Sequence, residues 1–311
     1  MLDLDNPIYT NETAAREHLE AIRWPTGPVC PHCGERDNVT RIVGQSARPG
    51  LIRCNKCTKQ FTVTVGTIYE SSHIPLHKWH YATHLLTSSK KGISAHQLHR
   101  MLGITYKSAW FMAHRIREAM KPVNPTPMGG TGKVVEVDET FIGQPGHVYE
   151  NEKGWKAKPG IGDRAKVVAL VERGGGARSI KAGSLKGHEI RAILVRNADR
   201  RSKLATDEAS FYREPGLEFA DHLTVNHSIS EYVRGEATTN TVEGFFSIFK
   251  RGMRGIYQHC GEQHLERYLA EFDFRYSNRA KLGVDDETRA MLAIKGAAGK
   301  RLTYRRIGES A

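Results

Sequence analysis

Four cysteines constrain this chain more than any other feature. They stand as two knuckles, Cys30-x2-Cys33 and Cys54-x2-Cys57, with twenty residues between them, while a fifth, Cys260, lies far downstream. Each knuckle presents two thiolates on one side of a turn, and Gly34 permits the tight turn after CPHC. Thiolates suit a borderline-soft ion such as Zn2+ far better than Mg2+. Protein then fills all four positions of a tetrahedral shell, so the zinc is structural and leaves no site open for catalysis. The stretch KQFTVTVGTIYE after the second knuckle alternates like a strand and would complete a zinc ribbon over 25–72, behind a helical segment at 1–24. Cys260 reads as a packed free thiol.

Charge narrows the choice of partner. The 311 residues carry a formal charge of +12 with a pI near 9.5, and 39% are hydrophobic, enough for a core-forming chain. Such an excess fits a polyanion, nucleic acid first, because each neutralised phosphate releases counterions. No apolar run approaches the roughly 18 residues of a membrane span. The start, MLDLDNPIYT, lacks the basic-then-apolar pattern of a secretory signal. The expectation is a cytoplasmic protein with no membrane partner.

From Leu76 to Met120 apolar residues recur at helical steps, with Trp79, Ala82, Leu85 and Leu86 in the first helix. Ser94 can cap a helix over 95–102, Gly103 breaks it, and Thr105 can cap another starting at Tyr106. Two short helices around a glycine turn have the arrangement of a helix-turn-helix within a 73–121 segment, with an ordinary helical bundle linking two domains as the alternative. Its second helix would bring Lys107, Arg115 and Arg117 to DNA. The stretch KPVNPTPMGGTG then reads as a linker, placed at 122–132.

Beyond it the pattern becomes α/β. KVVEVDETFIG is a buried strand with Asp138 near its end, and RAKVVALVERGGG and ARSIKAGSL give two more. KGHEIRAILVRNA is a helix, SKLATDEASFY a strand ending at Asp207, HLTVNH a short strand, and TNTVEGFFSIFKRGMRG a helix carrying Glu243. That order is the order of a ribonuclease-H-like mixed sheet, assigned to 133–281, with residues 144–163 inserted after the first strand and a basic tail at 282–311.

Glu243 stands 36 positions after Asp207, and Lys250 follows two helical turns later on the same face. This pattern resembles that of DDE transposases. The blocks VDETFIG, TDEASFY and NTVEGFFSIFKRG, behind a CPHC…CNKC ribbon, resemble the ISXO-like group of bacterial insertion-sequence transposases over roughly residues 15 to 280. The resemblance implies a DNA transposase, nucleoid-associated, that cuts and joins strands. Asp138, Asp207 and Glu243 would hold Mg2+ or Mn2+, and converging carboxylates would indeed repel one another without cations. Asn240, three residues before Glu243 on the same helical face, is the alternative third ligand. Lys250 and Arg251 would contact DNA near the cut. The implied partners are double-stranded DNA, both the element's terminal inverted repeats and the target, with the chain acting as a homo-oligomer on DNA. Glu139 and Glu208 point away from the aspartates on an extended strand and are poorer candidates. A catalytically silent, transposase-derived zinc-ribbon DNA-binding protein is the alternative; a missing carboxylate would mark it, and all three are present.

Overall fold

The computed structural model describes residues 5–303 apart from 145, 151–153, 159, 161, 227, 228, 230 and 232. His227 of the HLTVNH stretch, part of the 144–163 insertion and the end of the basic tail therefore lie outside the described residues. The chain divides into two units. Met1–Ser89, Ile93–Lys121 and Val284–Ala311 form the first, and Lys90–Gly92 with Pro122–Gly283 the second.

In the first unit, side-chain caps set the helix starts. Asn11 accepts from the N–H groups of Thr13 and Ala14 at 2.9 and 3.1 Å, opening α1 (Glu12–Arg23). The ribbon follows as three short antiparallel strands, β1 (Val39–Arg41), β2 (Ile52–Cys54) and β3 (Gln60–Phe61). The strand expected through KQFTVTVGTIYE stops at Phe61. Successive turns replace it, with Val65 N–H on Thr62 O and Thr67 N–H on Thr64 O, although Val63, Ile68 and Tyr69 still bury their side chains. After α2 (Leu76–Ser88) the expected caps are in place. Ser94 Oγ accepts from Gln97 N–H at 3.1 Å to open α3 (Ala95–Leu102), and Thr105 Oγ1 accepts from Ser108 N–H at 3.2 Å to open α4 (Tyr106–Met120). Between them Gly103 takes φ +59°, the left-handed conformation that ends a helix most cheaply in glycine.

The second unit is built on β4 (Val134–Ile142), a hairpin of β5 (His147–Glu150) and β6 (Gly154–Ala157), then β7 (Ala165–Glu172) and β8 (Ala177–Ala182). There follow α5 (Gly187–Asn197), β9 (Lys203–Thr206), α6 (Ser210–Gly216), β10 (Asp221–Thr224), the short pair β11 (Val233–Arg234) and β12 (Ala237–Thr238), α7 (Asn240–Gly252) and α8 (Leu265–Ser277). Five strands form one mixed sheet in the order β10-β9-β4-β7-β8, with β4 antiparallel to β7 and parallel to β9. Alternation along the strands gives the sheet two apolar faces. Val135, Val137, Val168 and Leu170 pack with Ile190 and Leu194 of α5 and Tyr212 of α6. On the other face Val167, Ala169 and Val171 pack with Val242, Phe245 and Phe249 of α7 and Leu269 and Phe272 of α8. β4 is thus central and covered on both sides, which fixes the direction of every side chain along it.

Two further segments differ from the sequence expectation. Part of the 122–132 linker is fastened down: Met128 pairs with Ala198, and Gly130 N–H donates to Ser202 Oγ at 2.8 Å. The 282–311 stretch contains a capped helix, α9 (Asp286–Lys295), which packs with α2, α1 and α4 of the first unit. Asp285 caps it, accepting from Thr288 N–H at 2.7 Å. Its Ala290, Ala293 and Ile294 are buried, an apolar stripe that the net charge of the segment hides.

Candidate active site

Three carboxylates converge at one end of the pairing between β4 and β9. Asp138 lies in the middle of the nine-residue β4, not near its end as the sequence implied, because pairing with β7 carries β4 on to Ile142. The partner on its other side is shorter: β9 stops at Thr206 and its register with β4 reaches only Glu136↔Ala205. Beyond that point no strand pairs with the β9 side of β4 among the described residues, and Asp207 follows directly. Oxygens of Asp138, Glu139 and Asp207 lie within 4.8 Å of one another.

Glu139 is the surprise of this group. The alternation argument holds, since Asp138 stands opposite Ala169 on the α7–α8 face, while Glu139 reaches α6 on the other, where its Oε2 accepts from Tyr212 Oη at 2.8 Å. At an edge with no neighbouring strand, however, a glutamate is long enough to bring its carboxylate alongside the aspartates. Setting Glu139 aside on pleat direction alone is therefore corrected. The Tyr212 hydroxyl, fully buried, was not foreseen at all.

The electrostatics show how closely these groups crowd. Burial first, then the charges of Glu139, Asp207 and Glu243, push the Asp138 carboxyl from 3.8 up to about 7, against a hydrogen bond from the Glu139 N–H. Burial and Asp207 likewise raise Glu139, against the Tyr212 hydrogen bond. Two carboxyl groups shifted upward, by desolvation first and by neighbouring carboxylates second, form a ready site for a cation. The donors are all oxygen, which fits a hard divalent ion such as Mg2+ or Mn2+.

Glu243 and Asn240 both stand in the first turn of α7 and are both exposed. Glu243 lies outside the tight three-carboxylate group, although its charge acts on Asp138. Its Oε1 accepts from the buried Thr239 hydroxyl at 2.7 Å. Lys250 lies further along the helix, half-buried, with Nζ 5.8 Å from the Phe246 ring centroid, and Arg251 is exposed and donates to Ser247.

The cysteine quartet gathers as its spacing predicts. Sγ atoms of Cys30 and Cys57, and of Cys33 and Cys54, are 3.7 Å apart, and all four sulfurs fall within 4.8 Å of one another. A tetrahedron with Zn–S bonds of about 2.3 Å has edges of about 3.8 Å, so the quartet fits zinc closely.

The residues expected to reach DNA from a helix-turn-helix divide. Lys107 is exposed at the start of α4, beside Tyr106, whose ring stacks on His96 at 4.3 Å. Arg115 and Arg117 are only 6% and 2% exposed, which corrects the expectation that they reach DNA. Arg115 instead donates to Glu70 O at 2.6 Å, with its guanidinium over the Trp79 and Phe111 rings. Among the described residues no helix is long and apolar enough to cross a membrane.

Two family models match the chain. Residues 10–60 match the transposase zinc-ribbon domain, and residues 129–277 match the ISXO2-like transposase domain. An uncharacterised protein in transposable element ISH50 of Halobacterium salinarum is 28% identical over 285 residues, which is 86% of this chain and 91% of that one. With its cysteine ribbon, its carboxylate cluster and both family matches in one chain, the protein resembles the ISXO2-like transposases.

Proposed function

We propose that this protein cuts and joins DNA strands at the ends of a mobile element, using a metal-dependent centre on a ribonuclease-H-like sheet. The observation that carries the proposal is the convergence of Asp138, Glu139 and Asp207 beyond the end of β9, inside the segment that matches a transposase domain. Asp138 and Asp207 would hold the ions, Glu243 would close the set from α7, and Glu139, steadied by Tyr212, would serve as a fourth carboxylate. Bound Mg2+ or Mn2+ would supply activation of the attacking hydroxyl and stabilisation of the leaving oxygen. Asn240 is an amide oxygen donor one helical turn before Glu243 and remains the competing third ligand.

DNA contacts are proposed for the exposed start of α4, above all Lys107, and for Lys250 and Arg251 beyond Glu243. The proposed partners are element ends and target DNA, with the chain working as a homo-oligomer on DNA in the cytoplasm.

The test is a strand-cleavage and strand-transfer assay on element-end DNA with Mg2+ or Mn2+. Asp138→Ala, Asp207→Ala and Glu243→Ala should each lower cleavage by at least roughly 10²-fold while end binding persists, as when a well-placed charge-stabilising group is removed. Cleavage unaffected by Asp138→Ala or Asp207→Ala would remove the proposal. Cleavage that survives Glu243→Gln but not Asn240→Ala would make Asn240 the third ligand.

A further inference from the structure

Glu136 is wholly buried and charged, two residues before Asp138 on the same face of β4. Its carboxylate is fully engaged. Oε2 accepts from the backbone N–H groups of Thr241 and Val242 at 2.7 and 3.0 Å, and Oε1 accepts from the Thr241 hydroxyl at 2.9 Å and from Arg173 Nε at 2.6 Å. Thr241 and Val242 belong to the first turn of α7, whose N–H groups have no partner within the helix. A β4 side chain therefore caps the helix that carries Glu243, where a carboxylate also meets the positive end of the helix dipole. Arg173 secures the approach to that helix: Nη1 donates to Glu236 O and Nη2 to Thr238 O, each at 2.9 Å, and its own N–H donates to Val134 O at the start of β4.

We infer that Glu136 and Arg173 are positioning residues of the metal centre, a latch that fixes the start of α7 against β4 and so sets where Glu243 stands relative to Asp138. The inference rests on the reading of Asp138, Asp207 and Glu243 as the metal-holding set. The contact geometry separates the latch from general packing. Every side-chain hydrogen bond of Glu136 among the described residues goes to α7 or to the arginine that holds the segment before it, and Glu243 is one residue beyond Val242. Thr239, hydrogen-bonded to Glu243, directly follows Thr238, whose carbonyl Arg173 grips. Loss of the latch releases both the cap and the approach, so α7 keeps its apolar seat while its first turn loses its register with Asp138.

The test measures Mn2+ binding to the full, zinc-loaded chain by electron paramagnetic resonance, independently of cleavage. Glu136→Gln keeps the shape but loses the charge and one acceptor, and Arg173→Lys keeps the charge but loses the fork. Each should weaken Mn2+ binding about tenfold, the usual cost of losing a group that orients a metal ligand. Glu243→Gln should weaken it too, and adding Glu136→Gln to Glu243→Gln should cost nothing further, because the latch acts through Glu243. Unchanged Mn2+ affinity in either folded latch variant, or additive losses in the double variant, overturns the inference. Should Glu136→Gln fail to fold, Arg173→Lys alone decides by the same criteria. Asp138→Asn is the control: if it leaves Mn2+ binding intact, the metal centre itself is misread and the latch falls with it; if it abolishes binding while the latch variants bind normally, only the latch is wrong.

Discussion

Replacing Asp138 by asparagine should stabilise the protein in the absence of divalent cations, and the size of the effect follows from the site. The carboxyl is raised from 3.8 to about 7 by burial and by Glu139, Asp207 and Glu243. That rise corresponds to about 4 kcal/mol by which the fold disfavours the ionised form. Because the folded-state value lies above the free one, the cost is absent below about pH 4, grows as the pH rises through the interval, and is complete above about pH 7. Asparagine removes the charge and keeps an oxygen able to accept the Glu139 N–H that now donates to Asp138 Oδ1 at 2.7 Å. In denaturant unfolding of the zinc-loaded chain without Mg2+, the variant should exceed the parent by up to about 4 kcal/mol at pH 8 and by roughly half as much at pH 5.5. Added Mg2+ should then stabilise the parent and do little for the variant. Equal stability of the two proteins at pH 8 without Mg2+ would refute the electrostatic reasoning.

Two further outcomes follow from geometry already described. The purified protein should hold about one zinc per chain, and Cys33→Ser should lower the zinc content and unfold the ribbon without changing Mn2+ binding at Asp138; metal analysis that finds no zinc in the parent removes this reading. Lys107→Ala should weaken binding to all DNAs and flatten its salt dependence by about one charge, whereas Arg115→Ala should lower thermal stability through loss of its Glu70 contact and ring stacking. A salt slope that responds to Arg115 but not to Lys107 reverses these assignments.

What the sequence discloses here is what local chemistry decides. Ser94, Gly103 and Thr105 place the boundaries of α3 and α4 because a cap acts within one turn of the residue that makes it. The cysteine knuckles are equally local. Arg115 and Arg117 escape such a reading: a positive charge on a helix is legible, but whether that face is covered depends on Glu70, Trp79 and the elements carrying them. The carboxylate site depends on an even less local quantity, the length of a partner strand. Asp138 and Glu139 can meet Asp207 because β9 ends early, and nothing in VDETFIG records where its neighbour stops. Glu136 is hidden for a similar reason. As one polar residue in an apolar strand it gives a signal, a buried charge in need of a partner, but the partner is a helix start about a hundred positions away.

The return of α9 to the first unit has a consequence for how the protein is made. The ribosome releases α1 to α4 early, then the whole stretch from Pro122 to Gly283, and only afterwards the helix whose Ala290, Ala293 and Ile294 complete the early core. At about 5–20 residues per second that leaves the first unit unfinished for roughly 10–30 s while the second is translated. A message broken anywhere in between yields a chain whose amino-terminal unit lacks its closing helix. Such a fragment leaves uncovered the surface on which Ala290, Ala293 and Ile294 pack, and limited proteolysis should cleave it faster than the full chain.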